Sequence, residues 1–468
     1  MKGSTSDRLE FRKAFSHGAL MRIQRGNGRR SMLALTLTVV LCLTSAAPAA
    51  AVRLLRDADI EYGLYILSFP ILRAAGLSPT RTRIVVVDDD RLNAFVIDHS
   101  AIYLHSGLIQ KVRSARVLQA VIAHEAAHIS NGHIARRMTN LKSARTAAGL
   151  GLALAAVAAA AGGGEAAAGV GALTSSMAQR SFLAHTRAEE SAADRSAAAY
   201  LKFAGVSPTG LIELHEAFQA QESLNINRTD PYSTSHPLTT DRIRAARDYV
   251  ARYGDIGPTD PEFDYWFARI KGKLSAFKRA PKWTRRRVEG EIYPDLRQMR
   301  LAVAWHRESN MAQALAALDR ALALRPDDPY YLDLRGQILM ENQRAVAAIA
   351  AYRQAAELAP RNSLIQGSLG RALLADGQPR AALEPLERAR SGDYRNAYVL
   401  RDLGQAYAHL GQDGMAALAT AERFALQGEM IDAARHARRA LALLPEGSAP
   451  WRRAEDVLVT AERMTKRK

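Results

Sequence analysis

Apolar residues recur at helical spacing through Ile60, Leu64, Leu67 and Leu72 toward Gly76, which predicts a helix. The β-branched run Arg83-Ile84-Val85-Val86-Val87 predicts a strand. Two shorter apolar runs, Phe95-Val96-Ile97 and Ile102-Tyr103-Leu104, flank Asp98-His99-Ser100 and predict a hairpin or a bent edge strand. From Ser106 the period turns helical, and Val117, Leu118, Val121, Ile122 and Ile129 mark one apolar face. Residues 147–173 are almost all Ala and Gly, with Glu165 the only charge. A pair of small-residue helices joined by Gly162-Gly163-Gly164 is the plain expectation there. A membrane-touching hairpin, or a plug over a site, is the sharper one. Ala and Gly insert weakly and the glycines break the run, so a true span is not expected.

The last third repeats. Gly336, Gly370 and Gly404 recur every 34 residues, as do Ala321, Ala355 and Ala389, with Pro326 and Pro360 in step. This is the tetratricopeptide period. The small residues let the two helices of a unit approach, and proline ends the second. Trp305, Leu339, Leu373 and Tyr407 share one large core position, and Ala302 stands where the first unit would carry its glycine. The register slips near Asp413 and a further unit ends at Pro445, giving four or five units. Such arrays bury their core by stacking and offer a groove to peptides or partner proteins. The expected fold is mainly α: an α+β domain with a small sheet over 52–255, a Pro-containing basic linker over 256–292, and a helical repeat array over 293–468. Pro258, Pro261 and Pro281 suggest the linker. Its basic cluster (Arg279, Lys282, Arg285, Arg286, Arg287) suggests a solvated face or attraction to anionic lipid headgroups.

Charge sharpens the picture. The chain of 468 residues carries a formal +17. No aromatic-interleaved basic motif accompanies that charge, so nucleic acid is not expected as a partner. One cysteine, Cys42, excludes an internal disulfide and a thiolate metal site. Residues 1–51 have the form of a signal peptide: Arg22, Arg25, Arg29 and Arg30, an apolar run Met32–Thr44, then Ala49-x-Ala51 as a cleavage site. Translation starting at Met21 would suit this segment better. The mature chain is therefore expected in a bacterial periplasm, with an uncleaved anchor as the alternative.

The chemistry centres on His124-Glu125-Ala126-Ala127-His128. Two histidines at i and i+4 lie about 40° apart around a helix, so both imidazoles can reach one ion. Zinc suits imidazole nitrogen, and Glu125 beside the first ligand can hold a water and move its proton. A third ligand is required. His133 arrives five residues after His128, off the ligand face, and is expected at the surface or behind a ligand. Glu190 and Asp194, at i and i+4 among small residues, offer the alternative: Glu190 on the metal, Asp194 orienting an imidazole.

With Asn93-Ala94-Phe95 ahead of these motifs, and Ser235-His236-Pro237 and Arg242 after them, residues 52–250 resemble the gluzincin peptidase family that includes the heat-shock membrane proteases and CAAX prenyl proteases. With the export signal and repeats, the chain resembles its periplasmic, BepA-like branch. The resemblance implies one zinc on His124, His128 and Glu190, and Glu125 as catalytic base. It implies His236 at the fourth metal position as a gate or transition-state donor, and Asp194 and Arg242 supporting the ligands. It further implies misfolded or stalled outer-membrane proteins as substrates, with assembly machinery docked on the repeats. Where the branch has a glycine pair, this chain has Asp98-His99-Ser100, which puts the bend of the edge strand in question. Two rivals stand beside this reading: a periplasmic chaperone or scaffold with little proteolysis, and a membrane-embedded protease.

Overall fold

A computed structural model describes residues 53–136, 187–224, 240–254 and 260–466, with 139, 236 and 257. The expected signal peptide and the Ala/Gly stretch at 147–173 lie outside the described residues. β1 (Leu54–Leu55) leads into α1 (Ala58–Ala74), which Asp57 caps by accepting the Asp59 and Ile60 amides. β2 (Arg83–Val87), β3 (Ala94–Asp98) and β4 (Ala101–His105) complete a four-stranded sheet in the order β1-β2-β4-β3. β2 and β4 run parallel and the outer pairs antiparallel, so β3 is an edge. A bulge between Val96 and Asp98 bends that edge. The Asp98 carboxylate accepts the Ser100 amide at 2.7 Å and closes the turn. A side-chain hydrogen bond does here what backbone freedom does in a glycine pair.

α2 (Ser106–Lys111) and α3 (Ala115–Ser130) follow. Between Ala115 and His128 every residue of α3 except Arg116 is buried, because α3 is packed on several sides at once. The sheet and α1 cover it, and α4 (Arg187–Phe203) approaches through Ala193 and Ala197. α5 (Thr209–Leu224) comes closest at Gly210, where a Cβ would fall on the Arg116 carbonyl. α6 (Thr240–Tyr253) packs on α4 and α5.

The stretch expected as a linker contains a buried helix instead. Pro261 and Pro281 open α7 (Pro261–Lys278) and α8 (Pro281–Arg287). Proline at the first helical position gives up only an N–H that has no intrahelical partner, so these prolines start helices rather than forbid them. α7 has two working faces. Phe267, Ile270 and Leu274 join the core around the sheet and α3, whereas Tyr265, Trp266 and Ala276 join the core of the array. Between these faces Arg269, fully buried, donates to Asp59 at 2.6 Å and to Asp328 at 2.9 Å, and Lys273 donates to Asp57 at 2.9 Å.

The array itself is five helix pairs: α9 (Pro294–Arg307) with α10 (Met311–Leu324), α11 (Pro329–Glu341) with α12 (Ala345–Leu358), α13 (Ser363–Ala375) with α14 (Pro379–Gly392), α15 (Ala397–His409) with α16 (Asp413–Gln427), and α17 (Met430–Leu443) with α18 (Ala449–Thr465). Gly336 lies against the Tyr352 ring and Gly370 against Leu386, each too close for a Cβ. Ala302, Ala321, Ala355 and Ala389 are wholly buried.

Because a backbone carbonyl cannot step aside as a side chain can, Gly210→Ala is expected to lower stability by about 1–3 kcal/mol. Thermal unfolding of the purified chain checks this. An unchanged melting temperature would show that α5 does not fix the position of α3.

Candidate metal centre

α3 presents His124 and His128 to α4. The His124 Nε2 lies 3.4 Å from Glu190 Oε2, and the His128 Nε2 lies 3.4 Å from Glu190 Oε1. The two Nε2 atoms are 3.1 Å apart. His236, just ahead of α6, brings its Nδ1 to 3.0 Å from Glu190 and 3.3 Å from the His124 Nε2. All four side chains are buried, and one donor atom from each lies within 4.8 Å of the others.

Tetrahedral zinc with bonds of about 2.0–2.1 Å requires donors about 3.3–3.4 Å apart. The five pair distances given run from 3.0 to 3.4 Å, and the whole set closes within 4.8 Å. The proton positions agree. The His124 Nδ1 is 3.0 Å from Asp194 Oδ1. An ionised carboxylate only accepts, so Nδ1 carries the hydrogen and Nε2 turns its lone pair to the centre. The His128 Nδ1 meets the His133 Nδ1 at 2.9 Å, and donation to His133 frees Nε2 in the same way.

Charge makes the stronger case. Glu125, Glu190 and Asp194 are all buried, and one buried guanidinium, Arg242, answers them. Its Nε and Nη2 bind Asp194 at 2.7 and 2.9 Å, and its Nη1 reaches Glu190 at 2.9 Å. Three carboxylates gathered in one buried pocket favour positive charge beside them, and a divalent cation at the convergent imidazole lone pairs would supply it. Titration follows the same field. Burial opposes a charge on His124, yet Asp194 and Glu190 outweigh it and push the imidazole up to about 10. A proton and a metal ion compete for one lone pair, so this direction marks a spot that favours positive charge. His128 is driven well below its usual value by burial and by the charges of its histidine neighbours, against Glu190. Burial would raise Glu190, but the histidines around it hold it well below the carboxylate range; Arg242 and His215 do the same for Asp194.

His124, Glu125, His128, Glu190, Asp194, His236 and Arg242 are thus brought into one pocket, with Glu125 Oε1 3.6 Å from the His236 Nε2. His133 is buried behind His128 rather than at the surface. His215 of α5, absent from the sequence reading, lies 3.5 Å from Asp194. A lone histidine inside an apolar helix face carries no motif, so only packing reveals it.

Residues 67–250 match the family model described as peptidase family M48. Among curated proteins, the beta-barrel assembly-enhancing protease of Yersinia pestis is 26% identical over 275 residues, covering 58% of this chain and 56% of the relative. The protein of that name from Escherichia coli (strain K12) is 26% identical over 312 residues, covering 65% of this chain and 63% of its own. A putative one from Vibrio cholerae is 27% identical over 263 residues, with 53% and 52% covered. The matches therefore span less than two thirds of each relative's length. Among solved structures, the crystal structure of MamA aligns over 37% of this chain and 93% of its own, at 19% identity and a TM-score of 0.30.

In metal-free protein, Arg242→Met is expected to cost about 3–5 kcal/mol at neutral pH, because two carboxylates lose their counter-charge. The deficit shrinks as pH falls, since the variant's carboxylates take up protons at higher pH than those of the wild type. Denaturant unfolding across pH checks both points. A deficit that is absent, or constant down to the ordinary carboxylate range, would mean that Arg242 is not the counter-charge.

Proposed function

We propose that this chain, which carries a peptidase family M48 domain over residues 67–250, is an exported zinc-dependent endopeptidase of the HExxH type. The observation that carries this reading is the convergence of His124, His128, Glu190 and His236 in one buried cluster, with Glu125 adjoining the first ligand. Held by those three side chains, a zinc ion would polarise a peptide carbonyl and acidify water.

The chain's own residues do the rest. Glu125 takes the proton of the attacking water on its carboxylate and delivers it to the leaving amine nitrogen. Asp194 fixes the His124 ring, and Arg242 fixes Asp194 and Glu190. His236, with its Nδ1 among the donors, covers the place a substrate carbonyl would take. It acts as a gate when seated and as a donor to the developing oxyanion when displaced. The outer edge of β3, which pairs with no other strand among the described residues, accepts an extended polypeptide as an added strand. Similarity to beta-barrel assembly-enhancing proteases supports stalled or misfolded outer-membrane proteins as substrates, a periplasmic location, and assembly machinery docked on the repeats.

The second reading is a chaperone or scaffold with little proteolysis, which the repeat array favours and the intact Glu125 opposes. Deleting residues 293–468 would not separate the two, because it uncovers Tyr265, Trp266 and Ala276. Point variants do. Glu125→Gln should keep one zinc per chain and lose casein digestion by about 10²–10⁴-fold. Chelation should abolish wild-type digestion and zinc should restore it. His236→Ala should change the rate. Wild type that binds no zinc, or digests no better than Glu125→Gln, would leave the scaffold reading.

A further inference from the structure

From Tyr265 to Val288 the chain has nine Lys or Arg residues and no Asp or Glu. The fold sorts these cations into two sets. Arg269 and Lys273 are buried in ion pairs with Asp57, Asp59 and Asp328. Lys271 donates to the Val112 carbonyl, Lys278 pairs with Asp88 and Asp90, and Arg285 pairs with Glu308. The remaining four, Arg279, Lys282, Arg286 and Arg287, are exposed and have no ion-pair partner among the described residues. Along the array Arg335, Arg388, Arg438 and Arg453 each face a carboxylate, and exposed arginines without one among the described residues, such as Arg361 and Arg380, stand apart from one another. α8 with Arg279 gathers four such cations within nine residues.

An aromatic residue accompanies that excess. Trp283 is 37% exposed, and the Arg279 guanidinium lies 5.9 Å from its ring centre. Lys282 and Arg286 stand one turn apart on α8, on one side of the helix.

We propose that α8, with Arg279 ahead of it, is a docking surface for an anionic phospholipid bilayer. Unpaired cations on a short surface segment gain from a plane of negative headgroups. An indole half in solvent suits the headgroup layer, where its apolar ring and its N–H are both satisfied. Single-stranded nucleic acid would be expected to meet successive stacking rings along a basic groove, and α8 has one tryptophan. α8 has seven residues, far too few to cross a bilayer, so contact through it is peripheral. The inference does not depend on the peptidase reading.

The test is co-sedimentation of the full chain with vesicles of phosphatidylcholine alone, or of phosphatidylcholine mixed with phosphatidylglycerol. The expected result is binding to the anionic vesicles only, weakened by salt. Arg286→Ala with Arg287→Ala should lower the partition coefficient roughly 30-fold, at roughly five-fold per cation. Arg279→Gln with Lys282→Gln should do the same without touching the last turn of α8, which guards against misfolding of the first variant. Trp283→Ala should weaken binding while leaving its salt dependence. Arg452→Ala with Arg463→Ala removes equal charge from exposed positions on α18 and should change little. The proposal is overturned by equal binding to neutral vesicles, by both α8 pairs binding like wild type, or by the α18 pair losing as much. Tighter capture of DNA or RNA than of anionic vesicles at equal phosphate also overturns it.

Discussion

Buried negative charge is the constraint around which the α+β half is arranged. Glu125, Glu190 and Asp194 come from two helices and sit where water does not reach. Carboxylates in such a place stay ionised only if cations meet them. Arg242 supplies one positive charge, and the convergent imidazole lone pairs define where another belongs. The largely buried α3, the alanines of α4 and the close approach at Gly210 all serve to bring these groups within bonding distance.

α7 plays the corresponding part between the two halves. One helix lends apolar residues to both cores, so the halves share packing rather than touch across a surface. Its Arg269 joins Asp59 of α1 to Asp328 at the start of α11, in the second helix pair, while Lys273 holds Asp57 and Asp59. Losing either partner of such buried pairs is costly, which makes the relative placement of peptidase and repeats a property of the folded core.

The array also reaches the edge strand. Asp393, in the turn between α14 and α15, receives Arg56 and Arg83 at 2.7 and 2.8 Å, and Arg395 donates to Ser100 at 2.9 Å. Ser100 belongs to the Asp98-His99-Ser100 turn that joins β3 to β4. A polar turn can be held from outside by hydrogen bonds in a way that a glycine pair, lacking side chains, cannot. Here a departure from the resembling family coincides with a contact to the repeats.

Periodicity alone determined much of this protein. The strand at Arg83–Val87, the HEAAH helix and the 34-residue repeat were legible because side-chain spacing reports local backbone geometry directly. The donor set was legible through motif chemistry, with His236 and Arg242 added only by family resemblance. Tertiary structure alone decided that prolines at 261 and 281 open helices instead of a linker, that α7 serves two cores, and that His133 and His215 stand behind the donors. It also decided which of nine neighbouring cations find a partner and which have no carboxylate among the described residues. Local spacing is written along the chain; burial and charge pairing depend on partners up to 337 residues away in sequence, and only packing brings those together.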